Sequence, residues 1–426
     1  MVAAACGTAT DPTSAPPGSS ITTPPTSIPF TNGELIKLDL PRSTATVSPD
    51  DLAAVVRGDA ALGLDLFGVV AEQDNIMISP YSIATALSML YPGARGATAE
   101  EIAAVLHLEV DDATLHAARS HIEELLAAAP PPMRNEDDRE PFTIRPANSA
   151  WGQGGFPYTE DYLEVLATAY GAGLRVVDFA ADPDGSRDVV NDWVEEATED
   201  RIKDLIPPGV VTTDTRLVLV NAIWFKANWS EKFSPEMTAP APFTLLDGSN
   251  VTVPLMHTGL RGGYADTAKF TAVRLPYAGD ASMVVLLPPA GTSPAELAAS
   301  LTAEDLDISW GDYQIDLSLP SFEFESEIGL KSALQTLGMV AAFEPNQADL
   351  GGITDAAELF VQDALHKSFI ALDENGTEAA AATALVVGLT SAPPPATFTA
   401  DRPFLFWIEH GSTGEMLFLG QVADPS

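Results

Sequence analysis

Asp373 to Pro395 reads DENGTEAAAATALVVGLTSAPPP and contradicts the elements on either side of it. Upstream, Lys367 to Leu372 (KSFIAL) alternates in polarity and reads as a strand; downstream, Phe404 to Ile408 (FLFWI) reads as a buried one. Intrinsic propensity favours a helix over Thr377 to Val387, yet Asn375 and Gly376 are poor helix openers beside a strand, and three prolines close the run. Its tip, Leu389 to Ala392, is small and uncharged, suited to entering another protein's cleft. Two readings stand at this point: a surface Ala-rich helix followed by a linker, or a segment able to become a strand.

A strand entering an existing sheet must present small or apolar side chains at every second position of its inward face. Thr377, Ala379, Ala381, Thr383, Leu385 and Val387 form such a set. No proline or charge interrupts it, so nothing blocks ladder hydrogen bonds or buries an unpaired charge. Gly376 supplies the backbone freedom that a hinge requires.

With 426 residues, 46% of them hydrophobic, the chain can bury a large core. No run of 18 or more apolar residues occurs, which excludes a membrane-spanning helix in this sequence. Sixty acidic residues against 21 basic give a net charge of -39, which disfavours nucleic acid and anionic membrane surfaces as partners. Cys6 is the single cysteine, so no intrachain disulfide can form. Residues 1–45, rich in Pro, Thr, Ser and Ala and without periodicity, read as a disordered tether. The folded region then spans 46–426.

Ser48-Pro49-Asp50 offers a helix start, and Ser79 is placed to cap a helix beginning at Pro80. Thr98 with Glu101 has the spacing of a capping box. Thr215 to Phe225 is a long strand with little charge, which implies burial on both faces. Gln314 to Leu319 and Phe322 to Phe324 alternate and read as half-exposed antiparallel strands. Helices cluster early and strands late, without βαβ alternation, which argues an α+β fold with largely antiparallel sheets. Catalytic signatures such as G-x-S-x-G, H-E-x-x-H and the P-loop are absent, and the six histidines are scattered. His116 and His121 lie five apart and read as exposed helix histidines, while His366 reads as a hydrogen-bonded core residue. Nothing here points to an enzyme, a cofactor or a metal site.

GTEAAAAT at Gly376 to Thr383 resembles the reactive-loop hinge of the serpins, and ADRPFLFWI at Ala400 to Ile408 resembles the signature just beyond that loop. The runs from Asn75 to Ile102 and from Asn221 to Phe233 (NAIWFKANWSEKF) are similar to serpin core segments. The resemblance implies one domain, with helices packed around three largely antiparallel β-sheets and an exposed reactive-centre loop. It also implies a monomeric suicide-substrate inhibitor of serine proteases. A protease attacks the carbonyl of Thr390, before Ser391, and stays covalently held as the cut loop enters the main sheet. The hinge would comprise Glu374, Gly376, Thr377, Glu378, Ala379, Ala380, Ala381, Ala382 and Thr383, and the bait Val387, Gly388, Leu389 and Ala392. On the same resemblance Ser79, Ser82, Asn221 and His366 lie beneath the point where the sheet parts, and Trp229 sits where the loop first enters.

Small Thr390 behind apolar Leu389 favours elastase-like or subtilisin-like targets, whereas cleavage after Leu389 would favour chymotrypsin-like ones. The rival reading is a non-inhibitory serpin acting as a binding or chaperone-like module, against which the small residues Ala379 to Ala382 count. At Ser321 many relatives carry a lysine that pairs with the acid equivalent to Glu374. Without it, either the top of the sheet opens more readily or another group substitutes. Val2 to Gly7 (VAAACG) resembles the end of a bacterial lipoprotein signal, which implies lipidation at Cys6 and an extracellular or cell-surface protein; the rival reading is a cytoplasmic protein with an accidental cysteine in a frayed tail.

Overall fold

The computed structural model describes residues 28–71, 74–128, 143–377 and 393–426. Helices among them are α1 (Pro49–Val70), α2 (Pro80–Leu90), α3 (Gly96–Val105), α4 (Asp112–Ala127), α5 (Glu160–Tyr170), α6 (Pro183–Ala197), α7 (Pro294–Ser300) and α8 (Leu330–Thr336). Strands β1 (Glu34–Ile36), β2 (Ile76–Ile78), β3 (Thr143–Gln153), β4 (Leu174–Val177), β5 (Leu217–Asn228), β6 (Ala239–Thr244), β7 (Asn250–Asp266) and β8 (Thr271–Pro276) occupy the first part. The remainder are β9 (Ala281–Leu287), β10 (Gly311–Pro320), β11 (Phe322–Gly329), β12 (Asp363–Leu372), β13 (Gly376–Thr377), β14 (Pro395–Thr399), β15 (Phe404–His410) and β16 (Met416–Val422).

The main sheet runs β1-β4-β3-β5-β13-β12-β11. A second sheet runs β14-β10-β7-β8-β9-β15-β16-β2, with β6 also on β7. The long strand β7 joins what would otherwise be two smaller sheets: it pairs with β6 and β10 over its earlier residues and with β8 from Gly263 onward. The architecture is α+β, with helices around largely antiparallel sheets.

Strand β5 is the spine. All its residues except Lys226 are buried, because both of its faces are covered. On one side Val218 and Val220 pack with Val190 and Val194 of α6. On the other, Ile223 and Phe225 join Phe406 and Phe418 of the second sheet. Burying side chains of this size contributes roughly 1.5–3 kcal/mol each relative to leaving them in water. Helix α2 is buried along its whole length, which suits its uncharged sequence PYSIATALSML. Ser79 caps it by accepting from the Ser82 amide at 3.2 Å, and Ser48 caps α1 by accepting from the Asp51 amide at 3.1 Å.

Three expectations need correcting. Helix α3 begins at Gly96, so Thr98 and Glu101 lie inside it rather than forming a capping box at its start. Instead they fasten a distant segment: Thr98 Oγ1 accepts from the Asp349 amide at 2.9 Å, and Glu101 Oε2 from the amides of Val340 and Ala341 at 2.8 and 2.7 Å. His116 is no exposed histidine. It is largely buried, with Nδ1 2.8 Å from the Tyr170 hydroxyl, and burial lowers its pKa to about 4. Residues 28–45 do not hang free as a tether, since β1 pairs with β4 at the edge of the main sheet. Residues 1–27, including Cys6, lie outside the described residues.

Candidate functional site

β12 lies directly beside β5 in a parallel pair from Asp363↔Val218 to Ser368↔Ile223. Above that stretch a two-residue strand, β13, is wedged between them, pairing antiparallel to both: Thr377 opposite Leu372 and Ala227, Gly376 opposite Asn228. The seam is therefore shut along its lower length and already parted at its top.

Backbone conformation explains why a glycine stands at the wedge. Gly376 has φ +152, a region costly for any residue with a Cβ, and a Cβ there would run into the Ala227 carbonyl oxygen. Thr377 is buried, and its hydroxyl lies 2.8 Å from that of Tyr277. Tyr277 in turn stacks on Trp229, with ring centres 4.4 Å apart and planes 6° from parallel. Trp229 holds the incoming chain twice, donating its amide to the Asn375 carbonyl at 2.8 Å and its indole Nε1 to the Asp373 carbonyl at 3.0 Å. The Phe233 amide binds the Glu374 carbonyl at 2.9 Å. The Glu374 side chain accepts from Thr238 Oγ1 at 2.6 Å, so a hydroxyl is the group that substitutes for the lysine not found at Ser321. Ser321 donates its amide to the Pro254 carbonyl.

Lower down, register places Asn148 of β3, Asn221 of β5 and His366 of β12 in one row. Beneath them stand the two serines that open α2. His366 Nε2 accepts from the Ser79 amide at 3.1 Å, so in the neutral ring Nδ1 carries the proton and donates to Asn221 Oδ1. Asn221 Nδ2 donates to Ser82 Oγ at 2.8 Å and to Asn148 Oδ1 at 3.0 Å, and Ser82 Oγ donates to the same Asn148 oxygen at 2.6 Å. Ser79 Oγ donates to the Leu417 carbonyl at 2.6 Å. Complete burial pushes the His366 pKa down to about 3, which keeps the ring neutral. Two further serines pin β2 across the seam's far side: Ser326 Oγ accepts from the Met77 amide and Ser368 Oγ donates to the Met77 carbonyl, each at 2.8 Å.

The structure thus brings Glu374, Gly376, Thr377, Trp229, Ser79, Ser82, Asn221 and His366 to one seam. Glu378, Ala379 to Ala382, Thr383, Val387, Gly388, Leu389, Thr390, Ser391 and Ala392 lie outside the described residues. The chain is described again at the second sheet, where the Pro394 carbonyl accepts from the Gln314 amide at 3.0 Å and β14 runs parallel to β10. Asn148, Thr238 and Tyr277 belong to the seam although sequence reasoning did not single them out. Among the described residues no group of three potential metal ligands occurs.

The family model described as serpin (serine protease inhibitor) matches residues 57–425. The chain is a serpin. Leukocyte elastase inhibitor of Equus caballus is 37% identical over 378 residues, covering 85% of this serpin and 97% of the relative. An uncharacterized serpin-like protein of Thermococcus kodakarensis is 37% identical over 380 residues, covering 87% and 86%. The crystal structure of the thermophilic serpin tengpin in the native state matches with a TM-score of 0.80 at 25% identity, covering 92% of this chain and all of tengpin. Membership makes this serpin a protease inhibitor in general role and not an enzyme.

Proposed function

We propose that this serpin is a suicide-substrate inhibitor of serine proteases with shallow apolar pockets, elastase-like or subtilisin-like. The observation that carries the reading is the wedge at the top of the seam, where Gly376 and Thr377 lie between β5 and β12 with Thr377 facing inward. Strand alternation continues that inward face through Ala379, Ala381, Thr383, Leu385 and Val387. When a protease attacks the Thr390 carbonyl, it forms an acyl-enzyme and the amine of Ser391 leaves. The freed hinge extends the wedge downward, parting Asn221 from His366, and carries the bound protease with it. Deacylation then stops, because an oxyanion hole and triad work only when positioned to fractions of an ångström. The relative named leukocyte elastase inhibitor is in keeping with a bait of Leu389 and Thr390.

The test is incubation with pancreatic elastase and with subtilisin, followed by denaturing electrophoresis and mass spectrometry. An SDS-stable complex with cleavage between Thr390 and Ser391 is expected. Clean cleavage without a complex would favour the non-inhibitory binding module. Thr377→Arg, which places a charge on the inward face, is expected to turn the inhibitor into a substrate. The lipoprotein-like run at Cys6 adds a proposal of export, checked by palmitate labelling of the wild type against Cys6→Ser in a bacterial host.

A further inference from the structure

Away from the wedge, α1, α4 and the turn before β16 bring together three ionisable side chains, Asp59, Arg119 and Glu415, which are 1%, 2% and 0% exposed. Arg119 grips Asp59 with both terminal nitrogens, Nη2 to Oδ1 at 2.6 Å and Nη1 to Oδ2, and its Nε donates to Ser88 Oγ at 3.1 Å. One carboxylate already balances the guanidinium, so Glu415 is surplus. Neither of its oxygens meets a hydrogen-bond donor in the structure. Its carboxyl lies within the influence of both members of the pair: Asp59, close enough to share a hydrogen bond, favours the protonated form, and Arg119 opposes it.

Among the described residues the remaining neighbours named for the cluster supply no second cation. Tyr81 of α2 and Tyr170 of α5 adjoin the cluster, and Glu123 of α4 adds further negative potential at Tyr81. Within the turn, Thr413 Oγ1 accepts from the Glu415 amide and the His410 amide donates to the Glu415 carbonyl, so both bonds engage the Glu415 backbone and neither its carboxyl. The His410 ring faces Asp280 instead. A buried ionised carboxylate without protein donors is strongly disfavoured, whereas a protonated one has an O–H to give and an acceptor beside it.

We propose that Glu415 is held as a neutral acid hydrogen-bonded to Asp59, and that this proton locks the junction of α1, α4 and β16 on which the seam's serine hangs. Two residues along from Glu415, the Leu417 carbonyl receives the Ser79 hydroxyl, and Ser79 in turn holds His366. Burial first and Asp59 second raise the Glu415 pKa well above the carboxylate range, in line with the charge count. The sign follows: the unfolded chain sheds this proton near 4.5 while the native form keeps it. The folding constant therefore falls about tenfold per pH unit upward from there, levelling once the native group also ionises.

The protonated acid is independent of the inhibitory reading. Difference infrared spectroscopy of the full chain near neutral pH should show a protonated carboxyl C=O band that Glu415→Gln removes. Melting curves between about pH 5 and about pH 9 should fall more steeply for wild type than for the variant, by the equivalent of one proton. Parallel curves, or a wild type without the band, overturn the proposal. Should the variant not fold, the wild-type band and its loss on raising the pH still decide. If the protein traps no protease, the inhibitory reading fails while both of these readouts stand.

Discussion

His366 ties three elements together without any charge, and its neutrality is where pH should act. The unfolded histidine binds a proton near 6.5, whereas the buried native one does so only near 3. The unfolded state therefore gains protons first as pH falls, and native stability drops by about 1.4 kcal/mol per unit below about 6.5 until the native ring also charges. His116, lowered to about 4, titrates in an overlapping window, so the effect is read by difference. His366→Gln, neutral throughout, should lose one proton's worth of this acid dependence in urea titrations at a series of pH values; an unchanged slope would refute the assignment. Gly376→Ala should lower native stability by about 1–3 kcal/mol, since the residue must hold a glycine-only conformation against the Ala227 carbonyl. An unchanged urea midpoint would count against the wedge. Gly376 and Thr377 were legible because GTEAAAAT resembles a serpin hinge, which decided between the helix and strand readings that the residues alone left open. Asn148 and Thr238 were not, because an asparagine in a strand or a threonine in a loop shows nothing of the partner that folding brings within 3 Å.

At the scale of elements, the segment from Ile28 to Val47 straps the edge of the main sheet to the helices beside it. β1 pairs with β4 from Glu34↔Val176 to Ile36↔Leu174. Phe30 lies against Gly154 and the Ile36 carbonyl against Gly173, each so close that no Cβ would fit at the glycine. Further along, Arg42 donates to Ser120 Oγ at 3.2 Å and Glu123 Oε2 at 2.9 Å on α4, and the Ser43 amide binds the Thr168 carbonyl of α5. Removing residues 1–46 should leave a folded body, since the family match begins at residue 57. It should also lower the native unfolding free energy by roughly 2–4 kcal/mol, from the lost burial of Phe30, Ile36 and Leu38. Equilibrium urea unfolding of the truncated and full chains measures the difference, and coincident curves would show the strap to be passive. Composition concealed this element: three residues, Glu34-Leu-Ile36, carry its strand, and the unpaired edge that receives them exists only after β4 has joined the sheet. The long, locally patterned elements α1, α2 and β5 were legible for the opposite reason, because cap, period and length agree within each.

For the whole molecule the decisive quantity is how many ladders the main sheet can form. In the native arrangement one parallel ladder joins β5 to β12, and β13 adds only two residues of antiparallel pairing above it. Full insertion would replace that single ladder with two antiparallel ones, satisfying backbone groups on both flanks of the new strand. The native form should accordingly lie above its own minimum, held by a barrier rather than by free energy. Clipping the loop with a protease that the serpin does not trap should therefore raise thermal resistance sharply, read as a shift of the unfolding transition in circular dichroism. No gain on clipping would sink the insertion mechanism outright. At the top of the seam the Thr238–Glu374 hydrogen bond sets a neutral donor on an acid, which is weaker than a charged pair would be. Mild warming should thus convert native monomer into latent or polymeric forms on a native gel, and Thr238→Val, which keeps the shape and removes the donor, should hasten the conversion. If heated wild type remained monomeric with full trapping activity, and Thr238→Val behaved identically, the top of the seam would have to be held by the Trp229–Tyr277 stack instead, and Trp229→Ala would then be the variant that opens it.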